Sequence, residues 1–165
     1  MPSDWIRDKA AQESREQAEA RQREESQRRE AELIRALGPE FVEKLRTVLN
    51  EDIVAWNANF KDRQINGATK IQNGFSVSKE GFPRGSAEVT FNPATLRIEV
   101  HLARSTAVDF SEMYDTKGGF YLKANPDGRD IHMVDRLKGD AHLQPSGFSR
   151  IILESIAEQS SHHII

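Results

Sequence analysis

Three of the five histidines, His101, His132 and His142, each follow an acidic residue by two positions, and two of these acid-x-His segments lie in predicted strands. These two segments are Glu99-Val100-His101 and Asp130-Ile131-His132, and each lies where apolar and polar residues alternate. In an extended strand the acid and the histidine of each segment share a face, about 6–7 Å apart along the chain. Imidazole and carboxylate groups are ligands for divalent transition metals, and carboxylates also orient metal-bound imidazoles. If the two strands are neighbours, these four side chains converge on a metal or acid/base site.

The same pattern also arises from ordinary solvent-exposed histidines, because acids occupy 26 of the 165 positions. The acid-x-His segments belong to a wider polar face of a predicted sheet, which is a candidate ligand surface. An alternative is that this face is simply solvated, as one face of an antiparallel sheet commonly is. We predict the following ligand-binding residues on it: Arg97, Glu99, His101, Tyr121, Lys123, Asp130 and His132.

Composition excludes several classes of function. The absence of cysteine excludes disulfides, thiolate catalysis and cysteine-ligated metals. No phosphate-binding loop, dinucleotide fingerprint or hydrolase motif is present, so we predict no cofactor. The 23 basic and 26 acidic residues give a net charge of −3, which argues against a nucleic-acid partner. No apolar run is long enough to span a membrane, and the charged N-terminus does not resemble a secretory signal, so we expect a cytoplasmic protein.

The first 37 residues differ in composition from the rest of the chain. They contain 8 basic and 9 acidic residues, and between Ser3 and Leu37 there is neither glycine nor proline. Ala, Gln, Glu and Arg favour helix, and acids four residues before bases stabilise it, as in Glu19 to Arg23, Glu24 to Arg28 and Glu25 to Arg29. We predict a charged helical arm over 1–37, ending at Gly38-Pro39, and an α+β domain over 38–165. Three interpretations of the arm are open: an isolated solvated helix, a helix that pairs with a partner, and a disordered segment. Trp5 and Ile6 give the arm an apolar tip.

Two segments of the domain have the periodicity of amphipathic helices. The first begins after Pro39, and the second follows Ser146, which is a suitable N-cap. Each places apolar residues at the i, i+3, i+4 spacing of a helix face that packs on a core. The apolar residues are Phe41, Leu45, Val48, Leu49, Ile53, Trp56 and Phe60 in the first, and Phe148, Ile151, Ile152 and Ile156 in the second.

Between these helices the apolar period changes to two, which predicts strands of an antiparallel sheet. The strand around Ile98 is the clearest, with Leu96, Val100 and Leu102 on the same side. Asn-Pro turns at 92–95 and 125–128 join pairs of strands. They predict that Phe91 lies opposite Leu96 and that Leu122 lies opposite Ile131. The predicted fold is α+β, with an antiparallel sheet of about five strands and helices on one face.

Two functions fit this sequence. The first is a non-catalytic interaction domain that binds a protein or a small ligand, with the N-terminal helix as a tether or as a pairing arm for a partner or a second copy. The second is a small metal-dependent or acid/base enzyme that uses Glu99, His101, Asp130 and His132. The distance between His101 and His132 separates them, because only the second function requires that the two imidazoles converge.

Overall fold

The computed structural model describes residues 3–81, 84–105 and 113–157. It begins with one long helix, α1 (Asp4–Asn59), and a second helix, α2 (Pro145–Ala157), ends the described chain. In the described ranges between the helices there are seven strands and a short 3-10 helix (Arg136–Lys138). The chain is therefore α+β with an antiparallel sheet, as the sequence predicts.

The helix α1 continues without a break through Gly38 and Pro39, so the predicted helix end at this dipeptide is wrong. Gly38 is buried against the sheet, and a Cβ at this position would lie 2.4 Å from the ring of Phe91. The glycine therefore permits close packing of helix on sheet rather than ending the helix. Pro39 removes one backbone hydrogen bond, which typically costs about 3 kcal/mol inside a helix. Burial of Ile34 and Phe41 on either side holds the helix in place despite that cost.

The seven strands form one antiparallel meander in which each strand pairs with the next, in the order β1 to β7. Their bounds are β1 (Thr69–Ile71), β2 (Gly74–Ser78), β3 (Arg84–Asn92), β4 (Arg97–Ser105), β5 (Met113–Ala124), β6 (Ile131–Asp135) and β7 (Ala141–Leu143). The sequence predicts about five strands because β1 and β7, with three residues each, are too short for an alternating pattern.

Both predicted hairpins form, but their registers are displaced by two residues. Phe91 lies opposite Ile98 instead of Leu96, and Leu122 lies opposite Met133 instead of Ile131. Leu96 has a φ of 57° and belongs to the loop, so the strand begins one residue later than the turn motif suggests. Because the displacement is even, every side chain keeps its predicted face.

The core lies between one face of the sheet and the two helices. The strand residues on this inner face are buried, including Ile98, Val100 and Met133, as their alternation predicts. Phe41, Leu45, Leu49 and Ile53 contribute the matching face of α1, and Phe148, Ile152 and Ile156 that of α2. α2 begins at Pro145, so Ser146 lies inside the helix and is not its N-cap. No helix in the described part of the chain is long and apolar enough to cross a membrane.

Candidate functional site

The outer face of the sheet, opposite the helices, carries most of the predicted ligand residues. The alternation that buries Ile98 and Val100 turns Arg97, Glu99 and His101 of β4 outward, where they are half-buried. Cross-strand pairing places Glu88 and Lys117 on either side of His101. This row of an acid, an imidazole and an ammonium group crosses three strands of the outer face.

Arg97 is held against an aromatic ring. Its guanidinium carbon lies 4.7 Å from the ring centroid of Tyr121, its cross-strand neighbour, and that of Arg136 lies 3.6 Å from the same centroid. Gly119 permits the close approach of the β4 backbone, because a Cβ at that position would lie 2.4 Å from the carbonyl oxygen of Ile98, and it would also lie 3.2 Å from Arg97 Nη2. Arg97 Nε is buried and makes no hydrogen bond within the described chain. Tyr121 therefore fixes two cationic groups on the outer face, as cation–π contacts do.

The carboxylates around His101 are partly engaged by other groups. Glu99 accepts a hydrogen bond from Asn92 Nδ2 at 3.0 Å, so this acid braces the β3–β4 turn. His101 Nε2 lies 3.4 Å from Asp115 Oδ1. That distance suits an ion pair when the imidazole is protonated, but the geometry is not that of a hydrogen bond. Asp115 is a neighbour of His101 that the acid-x-His spacing misses, because it reaches the site through strand pairing.

These side chains line a shallow depression of about 540 Å³ on the outer face. Its lining is mixed in charge, with Glu88 and Glu99 facing Arg97, His101 and Lys117. A surface of both signs suits a polar or zwitterionic contact better than a polyanion. The lining residues Glu88, Thr90, Lys117 and Gly118 are absent from the predicted ligand set.

His132 belongs to a separate cluster at the other end of β5. Its ring stacks on that of His142 with the centroids 3.7 Å apart. Its Nδ1 lies 2.6 Å from Asn125 Oδ1, and because an amide oxygen only accepts, the neutral ring carries its proton on Nδ1. Burial lowers the pKa of His132, and the nearby charges of His142 and Lys123 lower it further against an opposing effect of Glu30. The imidazole is therefore disposed to remain neutral.

The two acid-x-His segments do not converge. Strand β5 lies between β4 and β6, and on it His101 pairs with Lys117 whereas His132 pairs with Lys123. Six residues of extended strand separate these positions by about 20 Å. Lys123 forms an ion pair with Asp140 at 3.6 Å, and Asp130 lies in the β5–β6 turn. Within the described ranges, no group of three or more potential His or carboxylate ligands could hold a metal ion.

The N-terminal part of α1 is the second candidate site. Every residue from Ser3 to Arg29 is exposed, and at 1.5 Å per residue the helix 4–29 extends about 39 Å. We call residues 4–29 the exposed arm. It contains seven basic and seven acidic residues. Trp5 and Ile6 at its tip are 65% and 44% exposed.

Charge pairs along the exposed arm stabilise a helix segment that does not pack on the described part of the body. Glu19 pairs with Arg23 at 3.6 Å, and Glu25 pairs with Arg29, both as the spacing predicts. Arg28 lies 3.9 Å from Glu32 rather than pairing with Glu24. Each such exposed pair contributes only a few tenths of a kcal/mol, so the arm depends on several pairs and on strong helix-forming residues.

The base of the arm is fixed to both hairpin turns. Glu30 Oε2 accepts a hydrogen bond from the backbone N–H of Ala124 at 3.2 Å, next to the β5–β6 turn. Arg35 Nε donates to the carbonyl oxygen of Pro93 in the β3–β4 turn, also at 3.2 Å. Neither residue is distinguishable in the sequence from other charges of the arm. These contacts and the continuity of α1 set the direction in which the arm leaves the body.

No known protein family matches this chain, and no curated protein or solved structure is significantly similar to it.

Proposed function

We propose that this protein is a non-catalytic interaction protein in which a rigid arm presents Trp5 and Ile6 to a protein partner. The observation that carries the proposal is that every residue of the exposed arm is solvent-exposed, in a helix that continues directly into the body. A helix that is polar on all sides either bridges to another structure or is held by charge pairs along its own surface, and the exposed side chains of Trp5 and Ile6 favour bridging for this one. The arm therefore acts as a spacer of about 39 Å between the body and the partner.

The chemistry of the tip indicates what kind of surface it binds. Burial of a large apolar side chain contributes about 1.5–3 kcal/mol, which Trp5 does not gain within the described chain. Tryptophan is enriched among residues that dominate the energy of protein interfaces. Asp4 and Arg7 flank the tip with opposite charges. The partner surface that fits is an apolar pocket with a polar rim.

The outer-face depression supports an interaction role for the body better than a catalytic one. The two imidazoles of the enzyme hypothesis, His101 and His132, lie at positions about 20 Å apart along β5, which argues against one reaction centre that uses both. The depression offers Arg97, Lys117 and Glu88 as polar contacts for a bound protein segment or small ligand. A cysteine-free chain is compatible with the reducing cytoplasm, and a cytoplasmic location is part of this proposal.

A site-specific photo-crosslinker tests the proposal in cells that express the protein. A benzophenone side chain at position 5 should give a discrete adduct with one partner, and Ile6→Asp should abolish that adduct. The same crosslinker at Gln17, which is equally part of the exposed arm, is the matched control and should give none. Failure of position 5 to give an adduct, or identical adducts from positions 5 and 17 that survive Ile6→Asp, would reject the proposal.

A further inference from the structure

Strand β5 has an open edge in the middle of the sheet. On one side it pairs with β4 along residues 113–121, but on the other side β6 pairs only with residues 121–124. No described strand pairs with residues 113–120 on that second side. Unpaired backbone groups along a strand form a template on which another strand can add.

The hydrogen bonding between β4 and β5 shows which backbone N–H and C=O groups of β5 point to the open edge. The N–H of Leu122 donates to the carbonyl oxygen of Leu96 on the β4 side, at 3.1 Å. Because the direction alternates along a strand, the N–H and C=O groups of Asp115, Lys117 and Gly119 point to the open edge. Asp115 and Lys117 are exposed, and Gly119 has no side chain to obstruct an approaching strand.

We infer that this edge binds the same edge of a second copy, forming an antiparallel β5–β5 pair centred on Thr116. The backbone groups at the edge belong to odd-numbered residues, so a symmetric pair that uses at least three of residues 113, 115, 117 and 119 is centred on residue 115, 116 or 117. A centre at 115 places Asp115 opposite its own copy. A centre at 117 places Lys117 opposite its own copy, and like charges directly opposite each other destabilise a pair. A centre at 116 instead places Asp115 of each copy opposite Lys117 of the other.

The limits of the open edge favour the same register. Strand β5 begins at Met113, and pairing with β6 begins at Tyr121. A centre at 116 pairs residue 113 with residue 119 of the other copy, within those limits. A centre at 117 would pair residue 113 with residue 121, whose edge β6 already occupies. Charge complementarity and strand length therefore select one register, and the dimer joins two sheets without using the exposed arm.

Single cysteines in the full-length chain, which has none of its own, test both the dimer and its register. In the inferred pair the two copies of residue 116 face each other with their Cα atoms about 4.5 Å apart, within the range for a disulfide. Thr116→Cys should therefore form a disulfide-linked dimer under mild oxidation. Lys117→Cys is the matched control and should remain largely monomeric. Equal or faster crosslinking of Lys117→Cys, or none by Thr116→Cys, would overturn the inference.

Sedimentation equilibrium measures the same association without a crosslink. Lys117→Pro removes an N–H that points to the open edge and leaves the hydrogen bonds to β4 in place. We expect the dissociation constant of the dimer to rise about tenfold or more, because both copies lose a backbone donor and an ion-pairing ammonium group. Trp5→Ala should leave it unchanged, so failure of this dimer is distinct from failure of the tip to bind a partner. A wild-type chain that stays monomeric at all concentrations, or a dimer that Lys117→Pro does not weaken, contradicts the inference.

Discussion

When Gly38 is replaced by alanine, a gain in helix propensity opposes a cost of overpacking at the base of the arm. Within a helix, alanine is favoured over glycine by about 1 kcal/mol, so propensity alone predicts a more stable protein. In the structure, however, the new Cβ would lie 2.4 Å from two atoms of the buried Phe91 ring. Overpacking of this kind typically costs about 1–3 kcal/mol, and because the ring is enclosed by the core, we expect the cost to exceed the gain.

We predict that Gly38→Ala lowers the free energy of unfolding by about 1 kcal/mol, or the melting temperature by about 2–4 °C for a chain of this size. Urea unfolding followed by tryptophan fluorescence measures the change, in a Trp5→Phe background that leaves Trp56 as the only reporter. Ala36→Gly is the propensity control at an exposed position nearby, and it should cost about 1 kcal/mol.

A double-mutant cycle with Phe91→Leu identifies the cause. The smaller side chain should relieve the overlap, so the double variant should be more stable than the sum of the two single effects implies. If Gly38→Ala instead stabilises the protein by about 1 kcal/mol, as propensity alone requires, the close approach of α1 to Phe91 is refuted.

Two further predictions concern polar contacts of the body. The side chain of Asn57 donates a hydrogen bond to the carbonyl oxygen of the buried Ile65 and accepts one from its N–H, both at 2.8 Å. Asn57→Ala should therefore lower the free energy of unfolding in urea by about 1–3 kcal/mol. The control Asn59→Ala, at an exposed position nearby, should lower it by less than about 0.5 kcal/mol. Burial and the charge of His142 lower the pKa of His132 in the folded state below the ordinary histidine value of 6.5. Between the lowered pKa and 6.5 the unfolded chain therefore binds more protons than the folded chain, and the contribution of His132 to stability is lost as the pH falls through this interval. An NMR titration should show the pKa of His132 rising in His142→Gln, and an unchanged value would mean that His142 does not act on it.

The parts of the fold that depend on one-sided burial could be predicted from the sequence. The stripe from Phe41 to Ile53 and the alternation around Ile98 each report directly which face meets the core. The two-residue error in both hairpin registers left these faces unchanged, because side chains alternate with a period of two. Local composition also identified the charged helix and its apolar tip.

The parts that depend on distant segments could not be predicted in the same way. Gly38 resembles a helix terminator in its local sequence, and only the position of Phe91 shows why a glycine is needed there. Whether His101 and His132 meet depends on strand order and on the offset along β5, which no local pattern contains. The contacts of Asp115 and Arg136 on the outer face could not be predicted either. Asp115 reaches this face through strand pairing, and Arg136 reaches it from the segment after β6.

The distance between spin labels at Arg15→Cys and Val54→Cys tests the rigid arm most directly. Both positions are exposed, and they lie on either side of the Gly38-Pro39 dipeptide in α1. A continuous helix predicts a narrow distribution near 58 Å, about 1.5 Å for each residue between the labels, in labelled protein diluted with unlabelled protein. A broad distribution with a much shorter mean would show that the arm is hinged or unfolded, and would contradict the proposed role of the arm as a rigid spacer.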